Sequence, residues 1–156
     1  MWANDHTNLF PMSVSTNVGG TQEYVESPEV VRHFQVMSNE LVTPRILVCP
    51  ADKRQPADSW VTLSNTNISY FVGPDADETQ PTMWLAGDRN LEIDGVAAKP
   101  GLLLLWTNSV VGWTRELHNR CGNVAMSDGS VQQATSGRLW ELLIHAGVAT
   151  NRLAMP

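Results

Sequence analysis

The sequence predicts an α+β domain, an antiparallel sheet covered by one helix, with a second short helix near the C-terminus. Three observations carry this prediction. An amphipathic run follows the cap-like Ser27-Pro28-Glu29, short β-prone runs separated by Gly, Pro, Asn and Asp fill the middle of the chain, and a second amphipathic run follows Ser136.

Residues 1–27 hold no sustained period, being broken by Pro11, Gly19-Gly20 and many Asn and Thr, and form a loop-rich segment in which Met12-Ser13-Val14 is a short strand. Residues 28–156 form the α+β unit. Ser27 caps a helix predicted over 28–40, with proline at its first position and Val30, Phe34, Met37 and Leu41 recurring at helical spacing. Pro44 stops it, Ile46 to Cys49 reads as a short buried strand, and Pro50 to Pro56 as a polar loop. Strands follow over Ile68–Val72, Met83–Ala86, Leu102–Trp106 and Asn123–Met126. Asp128-Gly129 predicts a two-residue hairpin turn in which both residues take positive φ, Ser127 pairs with Ser130 and Met126 with Val131. Ser136 caps a final helix over 136–146, whose stripe is Leu139, Trp140, Leu143 and Ile144; Gly147 ends it, and the tail is packed extended chain.

The 156 residues carry 10 Lys and Arg against 16 Asp and Glu, a net charge of −6. That balance argues against a nucleic-acid or anionic-membrane surface as the main partner. The longest uncharged apolar run, Gly101 to Trp106, is strand-sized and far short of a membrane span, and the first six residues lack the pattern of a secretory signal. Cys49 and Cys121 allow either one disulfide or two thiols.

Several groups of residues bear on chemistry. Asp75, Asp77 and Glu78 crowd one loop, the oxygen-rich kind of site that Ca²⁺ takes, although the EF-hand spacing is absent. His118 and Cys121, with Cys49, make three zinc ligands where a structural site needs four, and the paired spacings of such sites are missing, which argues against zinc. No nucleophile elbow, phosphate loop or dinucleotide fingerprint is present. His33 reads as a half-buried packing residue, and Trp60 and Trp113, among polar neighbours, as the indoles to examine for sugar stacking.

Two segments carry a family resemblance. Leu117 to Val131 contains His118, nine residues, then Asp128-Gly129; Leu47-Val48-Cys49-Pro50-Ala51-Asp52 is followed by Asn67-Ile68-Ser69-Tyr70-Phe71. Together they resemble the prepilin-type processing-associated H-X9-DG proteins, with His118, Asp128 and Gly129 as the signature. The resemblance implies a pseudopilin-like head, ordinarily borne on a leader and a long apolar helix that this sequence does not contain, so that residues 1–27 would adjoin the end of that helix. It implies a non-catalytic head on a periplasmic or cell-surface secretion or pilus-type filament. Its partners are other pseudopilins reached through that helix, with no nucleic acid and no membrane contact except through the helix. No cofactor is required, and calcium is the one ion the acidic loop suggests. The alternative is a head recruited as a glycoside or ester hydrolase, with Glu116, His118, Asp88, Asp75 and Asp77 as the acid–base candidates and a glycan as one substrate. In either case strand geometry keeps His118 from Asp128, and His118 ties the base of the hairpin to a neighbouring element by a hydrogen bond.

Overall fold

The computed structural model describes residues 2–156 and is an α+β fold. Strands β1 (Tyr70–Val72), β2 (Trp84–Asp88), β3 (Leu91–Ile93), β4 (Val96–Ala97), β5 (Gly101–Trp106), β6 (Val111–Trp113), β7 (Cys121–Met126), β8 (Val131–Thr135) and β9 (Thr150–Met155) form two sheets. The larger has the order β5-β9-β1-β2-β7-β8, and the smaller β4-β3-β6. Every pairing is antiparallel. The expected extended tail is β9, which lies between β5 and β1 inside the larger sheet.

Side chains alternate across the larger sheet, so each face has its own core. Phe71, Val124, Leu105 and Leu153 point to one face, where helix α4 (Ser136–Ile144) supplies Leu139, Leu142 and Leu143 and the smaller sheet supplies Leu91, Val111 and Trp113. Val72 and Ala154 point to the other, under Met12, Val30, Phe34, Leu47 and Ile68 from the first half of the chain. Among the described residues, no helix is long and apolar enough to cross a membrane.

The first half differs from expectation in three places, each for a local reason. The helix over 28–40 is two short pieces, α2 (Val31–Gln35) and α3 (Ser38–Leu41), after the N-terminal turn α1 (Trp2–Asp5). At the break the Met37 N–H donates to the Phe34 carbonyl, a tighter i+3 bond. Ser27 does accept from the Glu29 N–H, yet the orphan Val31 N–H at the start of α2 is met by Asn65 Oδ1 at 3.0 Å, a cap borrowed from 34 positions away. Ile46–Cys49 is not a strand; Pro44–Leu47 forms a 3₁₀ turn, with Thr43 accepting from the Arg45 N–H and proline at the first position. Met12–Val14 likewise gives way to a 3₁₀ turn over Pro11–Ser13, again opened by proline.

The hairpin is present with a register one residue from that expected: Ala125 pairs with Val131 and Asn123 with Gln133. Its loop has three residues, with Gly129 N–H donating to the Met126 carbonyl and Met126 N–H to the Ser130 carbonyl. Only Gly129 takes a positive φ, +83°, while Asp128 accepts from the Ser130 N–H through its side chain; a type I turn closed by a left-handed glycine replaces the two-residue turn. Helix α4 is capped by Thr135 rather than Ser136, and Leu142 takes the buried place expected of Trp140, which is 46% exposed.

His33 is fully buried, not half-buried. Its Nδ1 lies 2.8 Å from Thr21 Oγ1, and burial pushes its pKa down from 6.5 to about 4. The unfolded chain therefore binds a proton between these values that the native state refuses, and native stability falls as pH drops from 6.5 to 4, by about 3 kcal/mol for this group. Urea unfolding across that window is expected to show the loss in the wild type and a flattened profile in His33→Gln. A second expectation concerns Gly122 on β7, where an added Cβ would sit 2.7 Å from the fully buried Trp113 indole. Gly122→Ala should cost about 1–3 kcal/mol by overpacking, read from the urea midpoint.

Candidate metal and catalytic centre

The face of the larger sheet under the first half of the chain carries, side by side, Tyr70, Asp88 and Asn123, through the pairing of Tyr70 with Asp88 and the contact of β2 with β7. Asp88 ends β2 with its side chain 1% exposed, and Asn123 donates to its Oδ2 from both the backbone N–H, at 2.7 Å, and the side-chain amide, at 3.0 Å. Two loops close over it. The first brings the buried Cys49, whose backbone N–H donates to Ser69 Oγ at 2.9 Å. The second brings His118.

Cys49 Sγ lies 3.2 Å from His118 Nε2, and Asp88 Oδ2 lies 3.6 Å from the same nitrogen. One ligand atom from each residue falls within 4.8 Å of the other two. Among the described residues this is the group in which three such atoms converge. They border a cleft of about 310 Å³ shared with Tyr70, Ala86, Ala125 and Val131. Burial first, then the neighbouring Cys49, Asp88 and Asp52, push the Tyr70 phenol up to about 12, so it enters the cleft as a neutral O–H.

His118 is held in a conformation that its residue type disfavours. His118, Asn119 and Arg120 have φ of +45°, +49° and +64°, three consecutive non-glycine residues in the left-handed region. Each costs on the order of 1–2 kcal/mol, and such strain concentrates where a side chain must be aimed. Asn90 supplies the restraint: its side-chain amide donates to the carbonyls of Thr114, Leu117 and Cys121 at 3.1–3.3 Å, gripping both ends of the turn.

A charged chain joins the two loops. Ser69 Oγ donates to Asp52 Oδ2 at 2.8 Å, Arg89 donates to both Asp52 oxygens at 2.8 Å, and the same guanidinium reaches Glu116 at 2.6 Å. Burial raises the Asp52 carboxyl, but hydrogen bonds from Arg89, Ser69 and the Arg54 backbone outweigh it and hold the group well below the usual carboxylate range. The hydrogen bonds from Arg89 to Asp52 in turn hold its own proton more tightly than usual.

Of the acid–base candidates read from the sequence, Asp88 and His118 meet, and Glu116 stands beside them in the Arg89 pair. Asp75 does not join them: Arg152 grips its carboxylate next to a different cavity. Asp77 accepts from Thr79, Glu78 is exposed, and this loop does not bring three ligand atoms together among the described residues. Asp128 lies at the exposed hairpin tip, engaged with Ser130, while His118 contacts Cys49 and Asp88. Cys49 and Cys121 are free thiols. Trp113 is fully buried and Trp60 partly so; the exposed indoles are Trp106 and Trp140.

Cys121 does not join Cys49 and His118 in the converging group. Asp88, a carboxylate 39 positions from Cys49, completes the group, and no local spacing marks it. The same group argues against the expected purely non-catalytic head, because a thiol, an imidazole and a buried carboxylate converge at one cleft, a grouping suited to catalysis or metal binding. No family description, curated protein or solved structure matches the chain.

The Arg89 pair yields a direct expectation. Asp52 has a fully buried side chain, so Arg89→Met leaves its charge without a partner, and urea unfolding should show a loss of about 3–5 kcal/mol.

Proposed function

We propose that Cys49, Asp88 and His118 hold a zinc-like divalent ion and that the protein is a hydrolase acting on an ester in the adjoining cleft. The observation that carries this reading is the convergence of three ligand atoms within 4.8 Å. In a tetrahedral site with metal–ligand distances of about 2.0–2.3 Å, ligand atoms stand roughly 3.2–3.8 Å apart, which the observed 3.2 and 3.6 Å match. A thiolate, an imidazole and a carboxylate are a zinc donor set, and three protein ligands are the number found where a fourth position stays open for chemistry. The shared nitrogen also favours a metal over a Cys-His-Asp triad. In a triad the acid bonds the imidazole nitrogen remote from the nucleophile, whereas here sulfur and carboxylate both face Nε2.

When bound, such an ion polarises a substrate carbonyl and lowers the pKa of a coordinated water towards neutrality. The remaining work falls to the chain. Asn123 orients the Asp88 carboxylate through two hydrogen bonds, and Ser69 orients the Cys49 backbone. The Tyr70 O–H, kept neutral, donates to the oxygen on which negative charge develops. In the net reaction water adds to the acyl carbon, the ester C–O bond breaks, and the alkoxide leaves as an alcohol after taking up a proton. Glycoside hydrolysis is less well supported, since the cleft is bordered by one carboxylate, Asp88, where that reaction ordinarily uses two facing each other.

The motif resemblance supports reading the domain as a pseudopilin-type head, now with a catalytic centre. Cys49 and Asp52 come from the Cys-Pro-Ala-Asp segment, Ser69 and Tyr70 from the Ser-Tyr segment, and His118 opens the His-X9-Asp-Gly segment. All three segments thus contribute residues to one centre.

Chelator-treated protein titrated with Zn²⁺ is expected to bind one equivalent, with affinity at least tenfold weaker in Cys49→Ala, Asp88→Asn and His118→Ala, and p-nitrophenyl acetate hydrolysis should return with the ion. Absence of zinc uptake at micromolar concentration would overturn the metal. Hydrolysis that survives chelator but is lost in Cys49→Ala would assign the chemistry to the thiol–imidazole pair alone.

A further inference from the structure

A second cavity lies on the same face of the sheet. It measures about 300 Å³ and is lined by Phe10, Phe34, Met37, Leu41 and Leu85, with the fully buried His33 in its wall. His33 Nδ1 is taken by Thr21, and Nε2 has no partner. That nitrogen is itself sealed from the cavity, so the surface a ligand would meet there is apolar.

The cavity and the metal-ligand cleft share a residue, Ala86. Across the sheet Ala86 pairs with Val72, which lines the cavity, and with Ala125, which lines the cleft; directly paired residues point to one face. Asp88 is two residues further along the same strand and face, roughly 6.6 Å away. The pairing of β2 with β7 slips between Trp84 and Ala86, a bulge that lets the consecutive Leu85 and Ala86 both line the cavity. The two spaces are therefore neighbours on one face, with Ala86 in the wall of both.

We infer that the cavity is the acyl pocket of the site: the ester carries a medium-length acyl chain, which reaches over Ala86 and is seated between Phe34 and Leu41. A cavity of 150 Å³ holds a benzene ring, so 300 Å³ suits roughly ten carbons. The inference rests on the hydrolase reading for the reaction but not for the binding.

Decanoate and butyrate, titrated calorimetrically, separate the two. Decanoate should bind at least tenfold tighter than butyrate. Leu41→Trp, which fills the cavity from its rim, should weaken decanoate at least tenfold while zinc uptake stays as in the wild type. In the zinc-loaded protein p-nitrophenyl decanoate should exceed the acetate at least tenfold in kcat/KM, and Leu41→Trp should erase that preference. Failure of decanoate to bind folded wild-type protein, binding no tighter than that of butyrate, or equal binding to Leu41→Trp overturns the pocket. Leu41-sensitive binding in a protein that takes up no zinc and hydrolyses no ester sinks the hydrolase reading and leaves the pocket standing.

Discussion

The guanidinium of Arg89, held between Asp52 and Glu116, is the interaction on which the site depends. Neither loop that carries a candidate ligand has regular structure around it: Cys49 follows a 3₁₀ turn, and His118 stands in a left-handed turn. Backbone ladders cannot set the distance between such loops, so side chains must. Asp52 fastens the Cys49 loop through Ser69, Glu116 fastens the His118 loop two residues from the imidazole, and one cation bridges both. A buried pair of this kind adds little net stability because desolvation opposes the attraction. Its contribution is geometric: the planar, bidentate fork of Arg fixes direction as well as distance, which a Lys would not.

Much of the fold is legible in the sequence because much of it is local. The hairpin, the C-terminal helix and the four central strands announce themselves through turn residues and apolar periodicity, and the structure has each of them within a few residues. What is not legible depends on partners far along the chain. Asn65 caps α2, and nothing near Val31 signals it. The apolar run Ile46 to Cys49 has a strand's composition, yet Thr43-Pro44 in front of it offers a cap and a preset φ, and that local chemistry decides for a 3₁₀ turn. The hairpin register turns on a single choice, whether one residue or two in the loop take positive φ, and Asp-Gly allows both.

The site is legible as a set of suspects and not as a group. Cys49, Asp88 and His118 each attract notice by type or motif, but they are separated by 39 and 30 positions, and only the closing of the Cys49 and His118 loops over the end of β2 brings them together. The conformation that aims His118 leaves only a faint trace, since His118 and Asn119 are types that tolerate positive φ but do not demand it, and Asn90, which restrains the turn, lies 28 positions upstream of His118. Of the crowded acids at Asp75 to Glu78, the densest acidic group in the sequence, Asp75 is taken by Arg152 and Asp77 by Thr79. Density of like residues along a chain measures local charge, whereas a site requires convergence in space.

The two faces of the larger sheet divide the work, and that division explains how strain and unmet polar groups persist in so small a protein. The face under α4 and the smaller sheet is a continuous apolar core whose polar exceptions include the indole N–H groups of Trp84 and Trp113. The opposite face is interrupted by buried or partly buried polar groups, Asp52, Ser69, Asp88 and His33, and by two cavities. Native stability is a small difference between large terms, so a left-handed turn, an orphan imidazole nitrogen and an unfilled cavity can coexist only if burial elsewhere exceeds their combined cost. The strands themselves connect the two sides: Val124 anchors β7 in the apolar core while Asn123, its neighbour, turns to Asp88. Because successive residues on a strand face opposite ways, the rigid face sets the positions of the groups on the reactive one, and the reactive face is released from having to stabilise itself.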